Sequence, residues 1–217
     1  MRIIAGKYRH RRLQTNPGNT TRPIIDRAKV RLFDLIRHEL PGARVLDAFA
    51  GTGTFGFEAL SRGAISAVFC EADHRAHELL RKNAEMLKAT EESLCWRVDV
   101  LRCSFRPKGD EVWTPYGAMF FDPPYEMARD LRPGQPLYRC LDRLARPEVS
   151  IDNALLVIRT PQQCDPQYPP VWTTEMVLEI ASMKIYLLRK NLAALPLEAE
   201  GGDNTRDDEG DEDAAAD

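Results

Sequence analysis

The sequence of 217 residues contains no apolar stretch long enough to span a membrane. Its first residues, Met1 to Lys7, lack the apolar core and the cleavage site of a signal peptide, so we expect a cytoplasmic protein. The five cysteines are odd in number and no two have the CxxC spacing, which argues against a disulfide framework and against a structural zinc site. We therefore expect reduced thiols and no metal ion.

Acidic residues are scarce at the start of the chain and abundant at its end. Residues 1–37 contain ten Arg and Lys but only Asp26 and Asp34, whereas residues 198–217 contain ten acidic residues and a single Arg206. Residues 1–197 thus hold 29 basic and 23 acidic residues, although the whole chain has a net charge of −3. The basic segment is suited to a nucleic-acid phosphate backbone, while a solvated surface that happens to be basic has the same composition.

The pattern of apolar residues predicts one α/β domain between a basic arm (residues 1–24) and an acidic, disordered tail (193–217). Residues 2–14 resemble a short hairpin with Gly6 near its turn. In the domain, residues 25–192, a helix over 25–40 precedes alternating strands and helices. We predict strands at 44–49, 67–71, 94–98, 118–121 and 154–159, and helices at 55–62, 74–88 and 137–145. Alternation at this spacing indicates a doubly wound, Rossmann-like and mostly parallel sheet, which the runs 176–181 and 184–188 close as an antiparallel hairpin.

A glycine-rich loop joins the first predicted strand to the next helix. Gly51, Gly53 and Gly56 satisfy the GxGxxG pattern, in which glycines allow a tight turn and a close approach to a ligand. Glu71 follows eighteen residues after Gly53, at the end of the second strand, where a carboxylate can accept hydrogen bonds from ribose hydroxyls. Both features suit a dinucleotide as well as S-adenosylmethionine.

Asp47 favours S-adenosylmethionine over a dinucleotide. A carboxylate at the end of the first strand would repel the pyrophosphate of a dinucleotide, but it can receive the ammonium group of a methionine moiety. Asp99, after the third strand, could accept a hydrogen bond from an adenine amine, and it could equally be a turn or cap residue.

The tetrapeptide Asp122-Pro123-Pro124-Tyr125 follows an apolar run that predicts a buried strand. At the carboxyl end of such a strand, the Asp122 carboxylate and the Pro123 carbonyl could accept hydrogen bonds from an exocyclic amine while Tyr125 stacks on the ring. The two prolines stiffen the backbone there. Asp-Pro-Pro is also an ordinary turn, so the tetrapeptide alone does not decide between the two interpretations.

Taken together, these motifs resemble the class I S-adenosylmethionine-dependent methyltransferases that modify exocyclic amines. More narrowly, residues 2–9, 21–23, 26–27, 49–53 and 58–64 are similar to the RsmD-type family, whose members methylate the N2 amine of a guanine in bacterial 16S ribosomal RNA. The resemblance covers about residues 1 to 190 and is most specific in the amino-terminal portion.

The resemblance implies S-adenosyl-L-methionine as cofactor and 16S ribosomal RNA, or the small ribosomal subunit, as partner. Cofactor binding then falls to Asp47, Phe49, Gly51, Gly53, Glu71 and Asp99, and the catalytic residues are Asp122, Pro123 and Tyr125. We expect contacts with RNA phosphates from Arg2, Lys7, Arg9, Arg11, Arg12 and Arg22. The sequence has no obvious interface stripe, so we expect a monomer.

Two other functions remain compatible with these residues. The Asp-Pro-Pro-Tyr arrangement serves any aromatic exocyclic amine, so an adenine-N6 methyltransferase acting on DNA or RNA is one alternative. A catalytically silent RNA-binding or ribosome assembly factor is the other. The complete set of strand-end carboxylates argues against the silent factor, because a binding module does not need all of them.

Overall fold

The computed structural model describes residues 1–15 and 24–194. Within these residues, helices and strands alternate as the sequence predicts. The helices are α1 (Asp26–Leu35), α2 (Thr54–Ser61), α3 (His74–Leu87), α4 (Tyr125–Ala128) and α5 (Pro136–Leu144), and the strands are β1 (Arg44–Ala48), β2 (Ser66–Glu71), β3 (Ser93–Arg97), β4 (Tyr116–Phe121), β5 (Ser150–Pro161), β6 (Trp172–Ile180) and β7 (Met183–Lys190). No helix in this part of the chain is long and apolar enough to cross a membrane.

The seven strands form one sheet in the order β3, β2, β1, β4, β5, β7, β6. Strands β1 to β5 pair in parallel, whereas β7 is antiparallel to both β5 and β6. The predicted fold class is therefore confirmed, including the closing hairpin. The strand order reverses between β1 and β4, and in such sheets ligands bind in the crevice beyond the strand ends at this reversal.

The central strands β1, β2 and β4 are buried on both faces, as expected for parallel strands covered by helices. Phe120 of β4 packs on one face against Phe33 of α1 and Phe55 of α2. On the opposite face, Met119 and Phe121 belong to the cluster that α5 covers. Successive side chains of a strand point to opposite faces, so the apolar run of β4 fills both cores at once.

Helix α1 is shorter than the sequence predicts. It ends at Leu35, and residues 36–42 continue as turns rather than helix. Ile36 and Leu40 are nevertheless buried, because the turns hold these two side chains against the same core. Apolar spacing therefore extended the predicted helix beyond its observed end. The one-turn helix α4 and residues 172–175 at the start of β6 were also not predicted.

The amino-terminal arm forms the predicted hairpin, closed by an antiparallel bridge between Arg2 and Arg12. Gly6 lies at its turn with a φ of 79°, and a Cβ added there would lie 1.6 Å from the carbonyl oxygen of Ser61. The amides of Lys7 and Tyr8 donate to the Ser61 carbonyl and hydroxyl, at 2.8 and 2.9 Å. The arm thus lies directly on the carboxyl end of α2.

A buried carboxylate holds the arm in place. Glu58 of α2 accepts the amide of Ile4 at 2.9 Å and that of Ala5 at 3.1 Å. The same carboxylate pairs with Lys29 at 3.2 Å and with Arg62 at 2.9 Å, and the side chains of Glu58 and Lys29 are both fully buried. Burial lowers the pKa of Lys29, which the charge of Glu58 opposes. This ion pair joins the arm, α1 and α2.

Asn83 of α3 makes a second connection. Its amide group donates to the carbonyls of Gln14 and Thr52, both at 3.0 Å, and its oxygen accepts the Gln14 amide at 2.8 Å. Gln14 belongs to the end of the arm and Thr52 to the glycine loop after β1. The end of the arm and this loop are therefore held by one buried side chain.

Candidate active site

The four predicted carboxylates lie at the carboxyl edge of the parallel sheet. Asp47 is in β1, Glu71 ends β2, Asp99 follows β3 and Asp122 follows β4. The amide of Asp122 donates to the carbonyl of Ala48 at 3.4 Å, so β4 and β1 are still paired where the two functional segments begin. The structure thus brings the glycine loop and residues 122–125 together at the reversal of strand order.

Asp47 is buried, with 1% of its surface exposed. One carboxylate oxygen, Oδ2, accepts the amide of Gly56 at 2.8 Å, while Oδ1 has no hydrogen-bond partner among the described residues. Burial raises the pKa of Asp47 well above its usual range; the Gly56 amide opposes this, and the charges of Asp122 and Glu71 add to it. An incoming ammonium group would supply the missing partner of Oδ1, because buried polar atoms are normally paired.

The glycines of the loop have different structural roles. Gly51 has a φ of 55° and nothing within 4 Å of the position of a Cβ, so this point of the loop is open to a ligand. A Cβ on Gly53 would lie 2.4 Å from the ring of Phe57, and one on Gly56 would lie 2.2 Å from the ring of Phe69. Gly56 therefore allows helix α2 to pack closely on Phe69 of β2, and Gly53 leaves room for the Phe57 ring of α2 itself.

Phe49 adopts a left-handed backbone conformation with a φ of 64°, which is unusual for an aromatic residue. Its half-buried ring packs against the ring of Phe121 in a T-shaped arrangement, with ring centroids 5.3 Å apart. Such conformations concentrate at ligand sites, where the surrounding structure enforces them.

Glu71 shapes the glycine loop. Its carboxylate accepts the amide of Gly51 at 2.7 Å through Oε2 and the amide of Asp73 at 2.7 Å through Oε1. An ionised carboxylate has about four acceptor positions, so two remain for ribose hydroxyls. Glu71 can therefore order the loop and bind a nucleoside at the same time.

Asp99 caps a short 3-10 turn. Its Oδ1 accepts the amide of Leu101 at 2.9 Å, and its side chain is 49% exposed. The cap role considered from the sequence is thus present, and contact with an adenine amine stays a prediction for the remaining acceptor positions.

Asp122 has a partner that the sequence did not indicate. Arg159, near the end of β5, donates from Nε to Oδ1 at 2.7 Å and from Nη2 to Oδ2 at 2.8 Å. Burial by itself lowers the pKa of Arg159, but the carboxylate of Asp122 outweighs this effect and leaves that pKa above its usual value. The residues are 37 positions apart, so only the pairing of β4 with β5 reveals the contact.

Pro123 is buried, and Pro124 caps the one-turn helix α4, whose first residue is Tyr125. The Tyr125 ring is half-buried, and its hydroxyl is buried without a hydrogen-bond partner among the described residues. The guanidinium carbon of Arg159 lies over this ring, 5.5 Å from its centroid. One face of Tyr125 is therefore occupied by Arg159, and a base that stacks on Tyr125 would use the other face.

Three of the predicted RNA-binding residues are engaged within the chain. Arg2 pairs with Asp26 at 2.9 Å, Lys7 pairs with Glu92 at 2.6 Å, and Arg11 donates to the Met86 carbonyl at 2.7 Å. Arg9 and Arg12 are exposed and form no ion pair with another described residue. Arg22, with the Thr21-Arg22-Pro23 segment, lies outside the described residues, as does the tail after residue 194.

The strand order, the glycine loop after β1 and the carboxylates along the sheet edge define a Rossmann-like methyltransferase. The model of the family described as Conserved hypothetical protein 95 matches residues 1–198. The chain belongs to that family, and the resemblance seen in the sequence is confirmed.

Named relatives and solved structures agree with this assignment. The chain is 31% identical over 190 residues to ribosomal RNA small subunit methyltransferase D of Haemophilus influenzae, covering 86% of this chain and 93% of the relative. It is 37% identical over 126 residues to the Escherichia coli protein of the same name, covering 58% and 60%. The solved structure of a candidate methyltransferase from Escherichia coli, yhhF, superposes with a TM-score of 0.71 at 30% identity, covering 88% of this chain and 98% of that one.

A more distant structure shows the fold alone. It is an RNA methyltransferase from Salinibacter ruber in complex with S-adenosyl-L-homocysteine, with a TM-score of 0.58 and 14% identity. The superposition covers 83% of this chain and 100% of the Salinibacter ruber chain.

Replacing Glu71 with Ala should weaken cofactor binding about 10- to 100-fold, because hydrogen bonds to a charged group contribute about 1.5–3 kcal/mol. Isothermal calorimetry with S-adenosylhomocysteine measures this. Glu78→Ala is the control, since Glu78 lies on the exposed face of α3. Equal affinities for the two variants would contradict the role of Glu71.

Proposed function

We propose that this enzyme transfers a methyl group from S-adenosyl-L-methionine to the exocyclic N2 amine of a guanine in 16S ribosomal RNA. The observation that carries the proposal is the buried oxygen of Asp47 that has no partner among the described residues, in the strand that leads to the open position at Gly51, with Asp122 to Tyr125 directly after the adjacent strand β4. Asp47 and Gly51 suit a cationic cofactor, and residues 122–125 suit a planar amine. The names of the relatives supply the RNA class.

The residues present fit the cofactor. Asp47 would hold the ammonium group, Gly51 and Gly53 would border the chain between ammonium and ribose, and Glu71 would accept the ribose hydroxyls. Phe49 and Asp99 would lie near the nucleoside, at the ends of β1 and β3. When bound, the cofactor supplies an electrophilic methyl group.

The protein positions the nucleophile. The lone pair of a guanine N2 is delocalised into the ring, so hydrogen bonds from the amine to Asp122 and to the Pro123 carbonyl would orient it and stabilise the positive charge that develops on nitrogen. Asp122 is 16% exposed, so it could pass the departing proton to solvent. Tyr125 would stack on the base with the ring face opposite Arg159.

A tritium-transfer assay tests the proposal. Labelled cofactor is offered with small ribosomal subunits, naked 16S RNA and duplex DNA, and primer extension maps the modified base. Incorporation into RNA at a guanine is the expected result. Incorporation into DNA or into adenine would support the adenine-N6 alternative, and no incorporation into any substrate would support the silent RNA-binding factor.

With such a substrate the enzyme would act in the cytoplasm, and we expect it to act as a monomer. Light scattering during size-exclusion chromatography measures the mass directly. A mass of twice 24.6 kDa would contradict the second expectation.

Reversing two charges of the arm should weaken RNA binding. The double variant Arg9→Glu and Arg12→Glu alters exposed residues without breaking an ion pair among the described residues. The slope of log affinity against log salt should fall by about 0.7 per lost phosphate contact on single-stranded RNA. Lys108→Glu with Arg146→Glu is the matched control, since both residues are exposed outside the arm. If both double variants bind RNA alike, the arm does not contact the phosphates through these residues.

A further inference from the structure

Arg159 makes two contacts that converge on the amine site. It belongs to β5, one residue beyond Ile158, which is in register with Phe121 of β4. Its guanidinium group engages both oxygens of Asp122 in a bidentate fork, and the side chains of Arg159 and Asp122 are only 8% and 16% exposed. The same group lies over the ring of Tyr125. One cation therefore touches both residues to which the amine and the base are assigned.

The fork leaves Asp122 able to accept hydrogen bonds. A carboxylate has about four acceptor positions, and the two bonds from Arg159 use one on each oxygen. The remaining positions can receive an amine while the carboxylate plane stays fixed. A lysine in the same place would supply charge but not this planar, two-point contact.

Stability alone is a weak reason for such a pair. Buried ion pairs often contribute little net stability, because desolvation offsets their attraction. Orientation is a different matter, since misplacing a reacting group by about 1 Å can lower a rate about 100-fold. The location of the pair at the strand ends, rather than in the core, fits the second role.

We propose that Arg159 is a positioning residue for methyl transfer, which fixes the plane of the Asp122 carboxylate and holds Tyr125 by one ring face so that the base stacks on the other. This inference rests on the proposed function, because it concerns the same amine site. The residue itself need not touch the base.

The test compares Arg159→Ala and Arg159→Lys with Arg189→Ala. Arg189 of β7 is a matched control because it also forms ion pairs, with Glu39 and Glu175. It lies away from the amine site, since its partner across the sheet is Leu155, four residues before Arg159 on β5. For each variant, kcat and KM are measured on small ribosomal subunits, cofactor affinity by calorimetry and the Tm by thermal unfolding. Guanidinium chloride, far below concentrations that unfold proteins, is then added to the Ala variants.

We expect kcat to fall about 100-fold in Arg159→Ala and to stay low in Arg159→Lys, with cofactor affinity within twofold of wild type. Added guanidinium should restore part of the kcat of Arg159→Ala and none of that of Arg189→Ala. A kcat within threefold of wild type in Arg159→Ala would overturn the proposal. A loss of kcat in Arg159→Ala that guanidinium does not restore and that is accompanied by lost cofactor binding would also overturn it. If Arg159→Ala does not fold, a wild-type kcat in Arg159→Lys would overturn the proposal instead.

The wild-type protein separates the two proposals. If it methylates no RNA, the proposed function fails. If it is active and Arg159→Ala is equally active, only the assignment of Arg159 fails.

Discussion

Replacing Asp122 with Ala should lower kcat for RNA methylation at least about 100-fold while S-adenosylmethionine still binds, because lost transition-state stabilisation of this kind costs about 10²–10³ in rate. In the proposed mechanism this carboxylate is the acceptor that orients the amine, and removing it leaves Asp47 of β1 and Glu71 of β2 in place. Turnover on small ribosomal subunits and calorimetry with the cofactor measure the two effects.

Asp122→Ala also leaves Arg159 buried without its carboxylate partner, so Asp122→Asn should be measured beside it. The Asn side chain keeps the shape and one acceptor oxygen but not the charge. Asp130→Ala is the control, because Asp130 is exposed just beyond α4. If Asp122→Ala and Asp122→Asn both turn over within threefold of wild type, the catalytic role of Asp122 is wrong.

Replacing Glu58 with Ala should lower the free energy of unfolding by about 3–5 kcal/mol, because it leaves the fully buried Lys29 without its carboxylate partner. The amides of Ile4 and Ala5 lose their acceptor at the same time. Urea unfolding followed by circular dichroism measures the change. We also expect weaker RNA binding, since the arm would keep only its Ser61 contacts with α2.

Glu92→Ala is the matched control for Glu58→Ala. It removes another acidic partner of the arm, but the Lys7–Glu92 pair is partly exposed, with 47% of the Lys7 side chain accessible. Surface pairs contribute about 0–1 kcal/mol. Equal losses of stability in Glu58→Ala and Glu92→Ala would contradict the special role of the buried pair.

The elements of the sheet could be predicted because their signals are local. Alternation of apolar runs and helical spacing located every strand, and parallel strands place their ends along one edge, so Asp47, Glu71, Asp99 and Asp122 could be grouped from the sequence. Local signals also explain why the predicted helix over 25–40 is longer than α1, since Ile36 and Leu40 keep the helical spacing although the backbone has turned.

Contacts between distant segments could not be predicted. Arg159 is the last residue of a predicted strand, and its spacing gives no sign that it pairs with Asp122. Glu58 and Lys29 look like ordinary helix-surface residues in the sequence, yet both are fully buried. The partners of Arg2, Lys7 and Arg11 were equally invisible, because each lies 24 to 85 residues further along the chain.

The order in which the chain is synthesised determines when the arm can dock. The arm precedes its partners Glu58, Ser61 and Glu92 by 53 to 85 residues in the sequence. Contacts that span so much sequence form only after the intervening segment has been synthesised. During translation the basic residues of the arm therefore stay undocked until the segments that carry Glu58, Ser61 and Glu92 have been synthesised.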